Sequence, residues 1–510
     1  MRREASVVNK KVCSFPLLFA LLALLIGTCA VVFPASAQAA PTSNGSITVS
    51  GTVASSYDAY QIFSANVVDG DNDAKIATDL AWVSDAVRDA ALPVLHGAGM
   101  PKSQTTAQEA AEWLNTDSHL TSALSAQLAR SLQSSGAVSM ALNAGRAAEL
   151  SCGYWLIVAD DDAISQNEAG TAPIMALVGG SAVTIKPKAA TPKVQKHVLE
   201  DSTAAWQKAA DATVADDLYW RLSATVPAGL TAYDTYTVQF VDTMSAGLDP
   251  SKVAASMRVY VAAGADGGFD AVSAGKDGRA GTESAKGWTD ITAQCRVSVD
   301  GKTFTVRTGD LIAALGGADA FTAGARVVAV YNAPLNSACS HGIAKGNPNE
   351  AYLRYPRSPF ADQSGDAGFT RTPSDDACVY TWDLALIKRG SDGDKPLAGA
   401  VLSIADDRGR TLAADGTWDA EGKATVATGE DGRVTVSGVD SGKLEVRELK
   451  APKGYTAFEG TRSVTVKAEG LDVGQVAAAK PKLTVTAESP LRADSADGST
   501  GSLEASLINT

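Results

Sequence analysis

Charged residues fall on the apolar faces of several predicted β-strands, and this feature constrains the fold more than any other. In residues 236–242 successive side chains point to opposite faces, which places Asp242 on the same face as three apolar or aromatic residues. The same period of two places Lys196, Lys388 and Glu448 on the apolar faces of their own strands. Buried Lys, Asp and Glu are rare unless they are paired. The sequence therefore predicts β-sheets with ionisable side chains in their cores.

Strand alternation alone leaves two interpretations of these charges. In the first, each lysine forms a buried salt bridge with an acid. In the second, the charge lies at a strand end, where the alternation slips and the side chain reaches water.

Length and pattern divide the chain into several domains. At 510 residues it is too long for one core and fits about three domains. We expect a signal peptide over 1–40, an N-terminal α+β domain with inserted helices over 41–188, a middle β-sandwich over 189–380 and a C-terminal β-sandwich over 381–510. The predicted fold is mostly β.

The N-terminal domain has the longest helical patterns. Apolar residues recur at three- and four-residue spacing in residues 81–95, 106–114 and 120–142, which predicts three helices. In the middle domain, a short helix is predicted near residues 310–315, and the Gly- and Asp-rich residues 264–286 predict a surface loop.

The first 40 residues have the features of a secretory signal. Basic residues precede an apolar run over 15–33, and small residues follow with the spacing that signal peptidase requires. The run is also nearly long enough to be a membrane anchor, which is the alternative interpretation. We expect the mature chain to be exported and to lie at the cell surface.

Composition excludes several classes of function. A formal net charge of -13 makes nucleic acid an unfavourable partner, and four scattered histidines do not indicate a His-rich metal site. Four cysteines would remain after signal removal; they form either one bridge, with Cys339–Cys378 preferred, or none. Motifs of hydrolases, nucleotide-binding loops and zinc proteases are absent, so we expect neither an enzyme acting on external substrates nor a cofactor.

Residues 444–455, which read LEVRELKAPKGY, resemble the E-box of Gram-positive pilins, Y-x-L-x-E-T-x-A-P-x-G-Y. Glu448 and the Ala-Pro, Gly and Tyr positions stand in register. Leu444, Val446 and Leu449 depart from the pattern, and the last of these loses a hydroxyl group.

Other stretches extend the resemblance over most of the mature chain. Residues 383–404 resemble the start of a collagen-adhesin B-type domain, and residues 183–188 resemble the pilin motif V-x-V-Y-P-K. Residues 240–248, 331–336 and 346–349 are similar to the middle domain of backbone pilins. The resemblance to backbone pilins of sortase-assembled pili implies tandem immunoglobulin-like domains of the collagen-adhesin type.

The resemblance also implies self-formed isopeptide bonds in both sandwiches. By position, Lys196 would join Asn336 in the middle domain, with Asp242 as the catalytic acid. Lys193 is the alternative amine. Strand alternation does not choose between Asn336 and Asn332, and the match to the family favours Asn336.

In the C-terminal domain, Lys388 would join Asn509, with Glu448 as the catalytic acid. Asn509 has the same alternation as the apolar residues of a last strand, so its side chain is expected to point inward. Folding would hold amine and amide together, which makes a poor electrophile reactive once.

Lys188 is the residue that the resemblance implies as the acceptor for the next subunit, with Lys186 as the alternative. The implied partners are identical pilin subunits, a class C sortase, ancillary pilins and a host extracellular-matrix ligand. The family also implies a sorting signal beyond Thr510. The alternative function is a non-polymerising adhesin or tip pilin that binds a host ligand through the N-terminal domain.

Overall fold

A computed structural model describes residues 44–71, 74–116, 118–187, 191–228, 230–264, 288–391 and 395–509. The predicted signal peptide, Lys188 and nearly all of the predicted loop at 264–286 lie outside the described residues. Strands dominate the described chain and form tandem β-sandwiches, which confirms the predicted fold class. None of the helices in these ranges has the length and apolar character that a membrane crossing requires.

The N-terminal domain combines two sheets with three α-helices in its described part. Its strands are β1 (Asn44–Val49), β2 (Ser56–Asp69), β3 (Lys75–Trp82), β4 (Met140–Asn143), β5 (Ala147–Ser151), β6 (Gly153–Ala159), β7 (Ile174–Val178) and β8 (Val183–Ile185), and its helices are α1 (Asp85–Gly97), α2 (Ala107–Leu114) and α3 (Ser122–Ser134). The sheet orders are β3-β2-β6-β7, with β4 beside β2, and β5-β1-β8. The helices pack their apolar faces against the first sheet.

Capping residues decide where these helices begin. The side chains of Ser84, Thr106 and Thr121 each accept a hydrogen bond from a first-turn N–H group, and Glu109 completes a capping box with Thr106. The predictions that helices begin at residue 81 and continue to residue 142 were wrong. Strands β3 and β4 occupy those ends because both pair with β2.

The middle domain is a sandwich of two sheets. Its described strands are β9 (Val194–Glu200), β10 (Ala205–Gln207), β11 (Ala209–Asp211), β12 (Tyr219–Thr225), β13 (Gln239–Met244), β14 (Arg258–Ala262), β15 (Trp288–Asp290), β16 (Arg296–Asp300), β17 (Thr303–Arg307), β18 (Arg326–Asn332), β19 (Asn347–Pro356), β20 (Phe369–Arg371) and β21 (Asp375–Tyr380), with helices α4 (Val253–Ser256) and α5 (Leu311–Ala314). One sheet has the order β10-β9-β12-β18-β14-β15; the other has the order β11-β21-β19-β13-β17-β16, with β20 beside β19. Apolar side chains from both sheets form one core.

The C-terminal domain is a second sandwich. Its described strands are β22 (Trp382–Gly390), β23 (Val401–Ala405), β24 (Thr411–Leu412), β25 (Trp418–Asp419), β26 (Val426–Ala427), β27 (Arg433–Val439), β28 (Gly442–Lys450), β29 (Thr461–Glu469), β30 (Lys482–Ala487), β31 (Leu491–Asp497) and β32 (Ser502–Asn509). Its sheets have the orders β27-β22-β32-β31 and β25-β24-β23-β28-β29-β30, with β26 beside β23. The first strand, β22, and the last strand, β32, are therefore parallel neighbours.

The cysteines at 152, 295, 339 and 378 form no disulfide among the described residues. The preferred Cys339–Cys378 bridge is therefore not formed, and the structure follows the alternative without a bridge. Cys152 and Cys378 are buried, whereas Cys295 and Cys339 are half-buried.

Candidate functional site

The three residues predicted for the C-terminal domain meet in its core. Lys388 on β22 and Asn509 on β32 belong to one sheet, and Glu448 on β28 faces them from the other sheet. Their exposed fractions are 1%, 2% and 5%. Asn509 Nδ2 donates a hydrogen bond to Glu448 Oε1 at 2.9 Å. Amine, acid and amide are thus enclosed together.

The amine of Lys388 has a polar environment without an anion in direct contact among the described residues. Its Nζ donates to the carbonyl oxygens of Leu507 at 2.9 Å and Arg389 at 3.2 Å. Burial lowers the pKa of Lys388 to about 8, and the charge of Glu448 acts in the opposite direction. Near pH 8 about half of this amine is therefore neutral and able to act as a nucleophile.

The amide of Asn509 contains a buried oxygen with no described hydrogen-bond donor, Oδ1. The oxygen and nitrogen of a side-chain amide have nearly the same shape, so the group fits its site in either orientation. A half-turn would place the Asn509 oxygen where its nitrogen now lies. The carbonyl oxygen of Asn509 would then face the carboxyl group of Glu448. The other carboxyl oxygen of Glu448 accepts from the Phe458 N–H at 3.2 Å, which fixes the acid in this orientation.

The middle domain contains a second buried cluster, around Lys196 on β9. Its Nζ donates to Asp242 Oδ2 on β13 and, at 2.8 Å, to the hydroxyl oxygen of Tyr331 on β18. The Tyr331 hydroxyl donates to Asp242 Oδ2 at 2.7 Å and accepts from Asn349 Nδ2 at 2.9 Å. Lys196, Asp242, Tyr331 and Asn349 are each completely inaccessible to solvent. One hydroxyl group therefore links amine, acid and amide.

Burial moves both ionisable partners of this cluster toward their neutral forms. It lowers the pKa of Lys196, against the opposing charge of Asp242, and it raises the pKa of Asp242, against the opposing effects of Lys196 and Tyr331. The charge of Lys208 lowers the pKa of Lys196 further. Burial also raises the pKa of Tyr331 well above its ordinary value, so its hydroxyl keeps its proton and remains a donor.

The structure does not place Asn336 in this cluster, which corrects the prediction that Asn336 faces Lys196. The Asn336 side chain is half-buried and donates to the carbonyl oxygens of Ala246 at 3.0 Å and Leu248 at 3.1 Å. It lies beyond the end of β18, after Pro334, where strand alternation no longer sets side-chain direction. Asn349, within β19, instead donates to the Tyr331 hydroxyl that Lys196 also contacts.

Two members of the cluster were missed from the sequence, Asn349 and Tyr331. A signal for Asn349 existed, because it shares its alternation along β19 with the buried Ala351 and Leu353. A corresponding signal for Tyr331 is that it ends the apolar run of β18, but an aromatic residue there is more often only core. Alternation alone does not show that its hydroxyl group meets the acid.

The remaining predicted lysines lie in different surroundings. Lys188 is outside the described residues. Lys186 is exposed just after β8, and Lys193 is exposed just before β9. Lys193, the alternative amine for the middle domain, is therefore on the solvent side, whereas Lys196 is in the core.

Comparison with known proteins gives one family match within the chain. Residues 383–480 match the SpaA family, described as a prealbumin-like fold domain. The trypsin-resistant surface T6 protein of Streptococcus pyogenes serotype M6 is 31% identical over 143 residues, which is 26% of this chain. The chain spans 24% of the length of that curated relative.

Among solved structures, the T6 backbone pilin of S. pyogenes serotype M6 is 17% identical, with a TM-score of 0.49 over 93% of this chain and 99% of that chain. The major pilin SpaD of Corynebacterium diphtheriae is 17% identical, with a TM-score of 0.41 over 82% of this chain and 90% of that chain. The segment of this chain that matches the SpaA prealbumin-like domain, residues 383–480, contains both Lys388 and Glu448.

Proposed function

We propose that this chain is the backbone subunit of a covalently polymerised pilus and that its two sandwiches are stabilised by self-formed Lys–Asn isopeptide bonds. The observation that carries the proposal is the enclosure of a lysine amine, a carboxylic acid and an asparagine amide together in each of two cores. The SpaA-family match and the T6 surface relative support the assignment to surface pilins.

In the C-terminal domain, neutral Lys388 Nζ attacks the side-chain carbonyl carbon of Asn509. Protonated Glu448 donates to the carbonyl oxygen and stabilises the negative charge that develops there. A carbon–nitrogen bond forms to the lysine, and the bond to the amide nitrogen breaks. The acid relays the lysine proton to the leaving group, so the products are an isopeptide and ammonia. The reaction modifies the chain once and does not turn over.

In the middle domain, the proposal assigns the same roles to Lys196, Asn349 and Asp242. A proton passes from Lys196 to Asp242, which leaves a neutral amine beside a neutral acid, the pair that burial favours. Tyr331, which contacts all three groups, holds the amide beside the amine. Asn349 replaces Asn336 as the proposed partner because of its position.

The bonds suit a chain that is pulled along its length. In the C-terminal domain the bond would connect the first and last strands of the sandwich, β22 and β32, so force would pass through a covalent bridge. A bridge that closes a loop of about 100 residues also stabilises the fold by about 5 kcal/mol, by analogy with disulfides. Forced unfolding depends on rate, and a bridge that does not open blocks it.

For polymerisation, we propose Lys188 as the amine that a class C sortase joins to the next identical subunit. The described residues on either side support the position, because exposed Lys186 follows the last strand of the N-terminal domain and Lys193 precedes the first strand of the middle domain. Ancillary pilins and a host extracellular-matrix ligand are further proposed partners at the cell surface.

The intact mass of the recombinant mature chain tests the isopeptide bonds. Two bonds lower the mass by two molecules of ammonia relative to the sequence. A mass equal to that of the sequence would exclude both bonds. Peptide mapping then locates each cross-link.

Polymerisation has a separate test in cells that make this protein. High-molecular-weight ladders that disappear with Lys188→Ala and persist with Lys186→Ala support the shaft subunit. Both cross-links without any ladder would instead favour a non-polymerising adhesin.

A further inference from the structure

A cysteine, a histidine and an aspartate meet where the middle and C-terminal domains join. Cys339 Sγ lies 3.5 Å from His341 Nε2. His341 Nδ1 lies 2.8 Å from Asp383 Oδ1, an ion-pair distance, although the N–H bond is not well aligned with the oxygen. Cys339 and His341 belong to the middle domain, and Asp383 belongs to β22 of the C-terminal domain. None of the three takes part in the proposed cross-links.

The surrounding backbone fixes this arrangement from both domains. Asn347 Oδ1 accepts from the Ser340 N–H at 2.8 Å, and Asn347 Nδ2 donates to the Ser340 carbonyl at 2.8 Å. The Gly342 N–H donates to the Thr381 carbonyl at 3.1 Å. On the other side, Asp383 Oδ1 accepts from the Gly438 N–H at 3.1 Å. The thiol and its two neighbours are thus held in place by hydrogen bonds on both sides.

The charges of the cluster favour a positively charged histidine. Contacts with Asp383 first, and then with Cys339, raise the pKa of His341 to about 10. Burial would by itself raise the pKa of Asp383, but contacts with His341 and Ser437 outweigh it and lower that pKa. At neutral pH His341 is therefore an imidazolium whose Nε2–H faces the sulfur. A cationic donor beside a thiol stabilises the thiolate, the form that reacts.

Two of the other thiols lie in surroundings that keep them protonated. Burial raises the pKa of Cys295 and of Cys378 to about 11 each, which keeps both as thiols. Cys339 is only half-buried, and the side chains of His341 and Asp383 retain 26% and 30% exposure. The cluster is therefore partly open to solvent.

We propose that Cys339, held beside His341 and Asp383, is a modification site for small disulfides. The Cys339 thiolate attacks one sulfur of a disulfide R–S–S–R. A new sulfur–sulfur bond forms at Cys339, the original one breaks, and R–S⁻ departs with the electron pair and takes a proton from water. A small disulfide is the oxidant, and the chain gains one R–S group.

The test uses the folded mature chain, free of reductant, with glutathione disulfide as the probe. Intact mass over time and peptide mapping should show one adduct, on Cys339, that forms at least about tenfold faster than any on Cys295. His341→Gln keeps a polar side chain of similar size but removes the charge, and it should slow the adduct by about tenfold. Cys295→Ser is the matched control and should leave the rate at Cys339 unchanged.

Three results would each overturn the proposal. They are a first adduct on Cys295, an unchanged rate in His341→Gln, and a Cys339 already bonded to Cys378 in the purified chain. If His341→Gln does not fold, two other measurements test the proposal. They are the rate of adduct formation at Cys339 in Asp383→Asn and the ratio of the Cys339 and Cys295 rates in the unaltered chain.

Discussion

The middle and C-terminal clusters contain the same residue types in different contacts. In the C-terminal cluster the acid Glu448 contacts the amide of Asn509, and the amine contacts backbone carbonyls. In the middle cluster the acid Asp242 contacts the amine of Lys196, and Tyr331 contacts the amide. In the proposed reaction the first acid would polarise the electrophile, and the second would remove a proton from the nucleophile. The comparison teaches that two β-sandwiches enclose the same three groups with different hydrogen-bond patterns.

The clusters also connect different parts of a sandwich. Lys388 and Asn509 lie on neighbouring parallel strands of one sheet. Lys196 lies on β9, whereas Asn349 lies on β19 of the facing sheet. The C-terminal bond would therefore join two strands within a sheet, and the middle bond would join the two sheets. We expect the first to resist strand separation and the second to resist separation of the sheets.

The largest expected effect comes from removing each acid. Asp242→Ala and Glu448→Ala should each restore one ammonia to the intact mass and lower the free energy of unfolding of that domain by about 5 kcal/mol. Asp242→Ala should be the more damaging, because Lys196 loses its buried counter-ion, whereas Lys388 keeps the carbonyls of Leu507 and Arg389. Mass spectrometry and denaturant unfolding measure both effects.

The control for this pair is Glu445→Ala on the exposed face of the same strand as Glu448. It should leave mass and stability nearly unchanged. An unchanged mass in Glu448→Ala would remove the role proposed for that acid.

The next comparison tests whether the amide of Asn349 or that of Asn336 is the partner of Lys196. Asn349→Ala should restore one ammonia, because it removes the electrophile that lies beside Lys196, whereas Asn336→Ala should restore none. Intact mass of the two variants, followed by mapping of the Lys196 peptide, measures the outcome. The opposite pattern would return Asn336 to the role that the resemblance implied.

A smaller effect is expected from Tyr331→Phe, which removes one hydroxyl group and keeps the ring. The loss of its hydrogen bonds, at about 1–1.5 kcal/mol each, should slow formation of the middle bond by about tenfold or more. The C-terminal bond should form at its usual rate, which makes it an internal control. Mass measured at intervals after refolding follows the formation of both bonds. If the middle bond formed as fast in Tyr331→Phe as in the unaltered chain, the Tyr331 hydroxyl would have no role in the reaction.

The last comparison is a pH dependence in Asn509→Ala, which keeps a free Lys388 in its core. The pKa of Lys388 is about 8 in the folded chain against an ordinary value of 10.5, so between these pH values the unfolded chain binds the extra proton. Stability should therefore rise as pH increases from about 8 to 10.5 and be flat just below 8. Denaturant unfolding at several pH values measures this, and Asn509→Ala combined with Lys388→Met is the control that should lose the rise.

Alternation along single strands was enough to predict several residues of the two clusters. The structure buries Lys196, Asp242, Lys388, Glu448 and Asn509 as that alternation predicted. Alternation gave no direction for Asn336, and that prediction instead followed a motif match past the end of β18 into a segment that contains Pro334. Periodicity gives side-chain direction only while the strand continues.

The sequence by itself determined which side chains each strand turns inward, because the β backbone alternates whatever its neighbours are. It also placed several strands and the cores of three helices. Only the tertiary structure decided which strands become neighbours, and hence that Asn349 and Tyr331 meet Lys196 or that Cys339 meets Asp383 of another domain. The physical reason is that such contacts join residues far apart in the chain, and packing of both sheets, rather than any local pattern, brings them together.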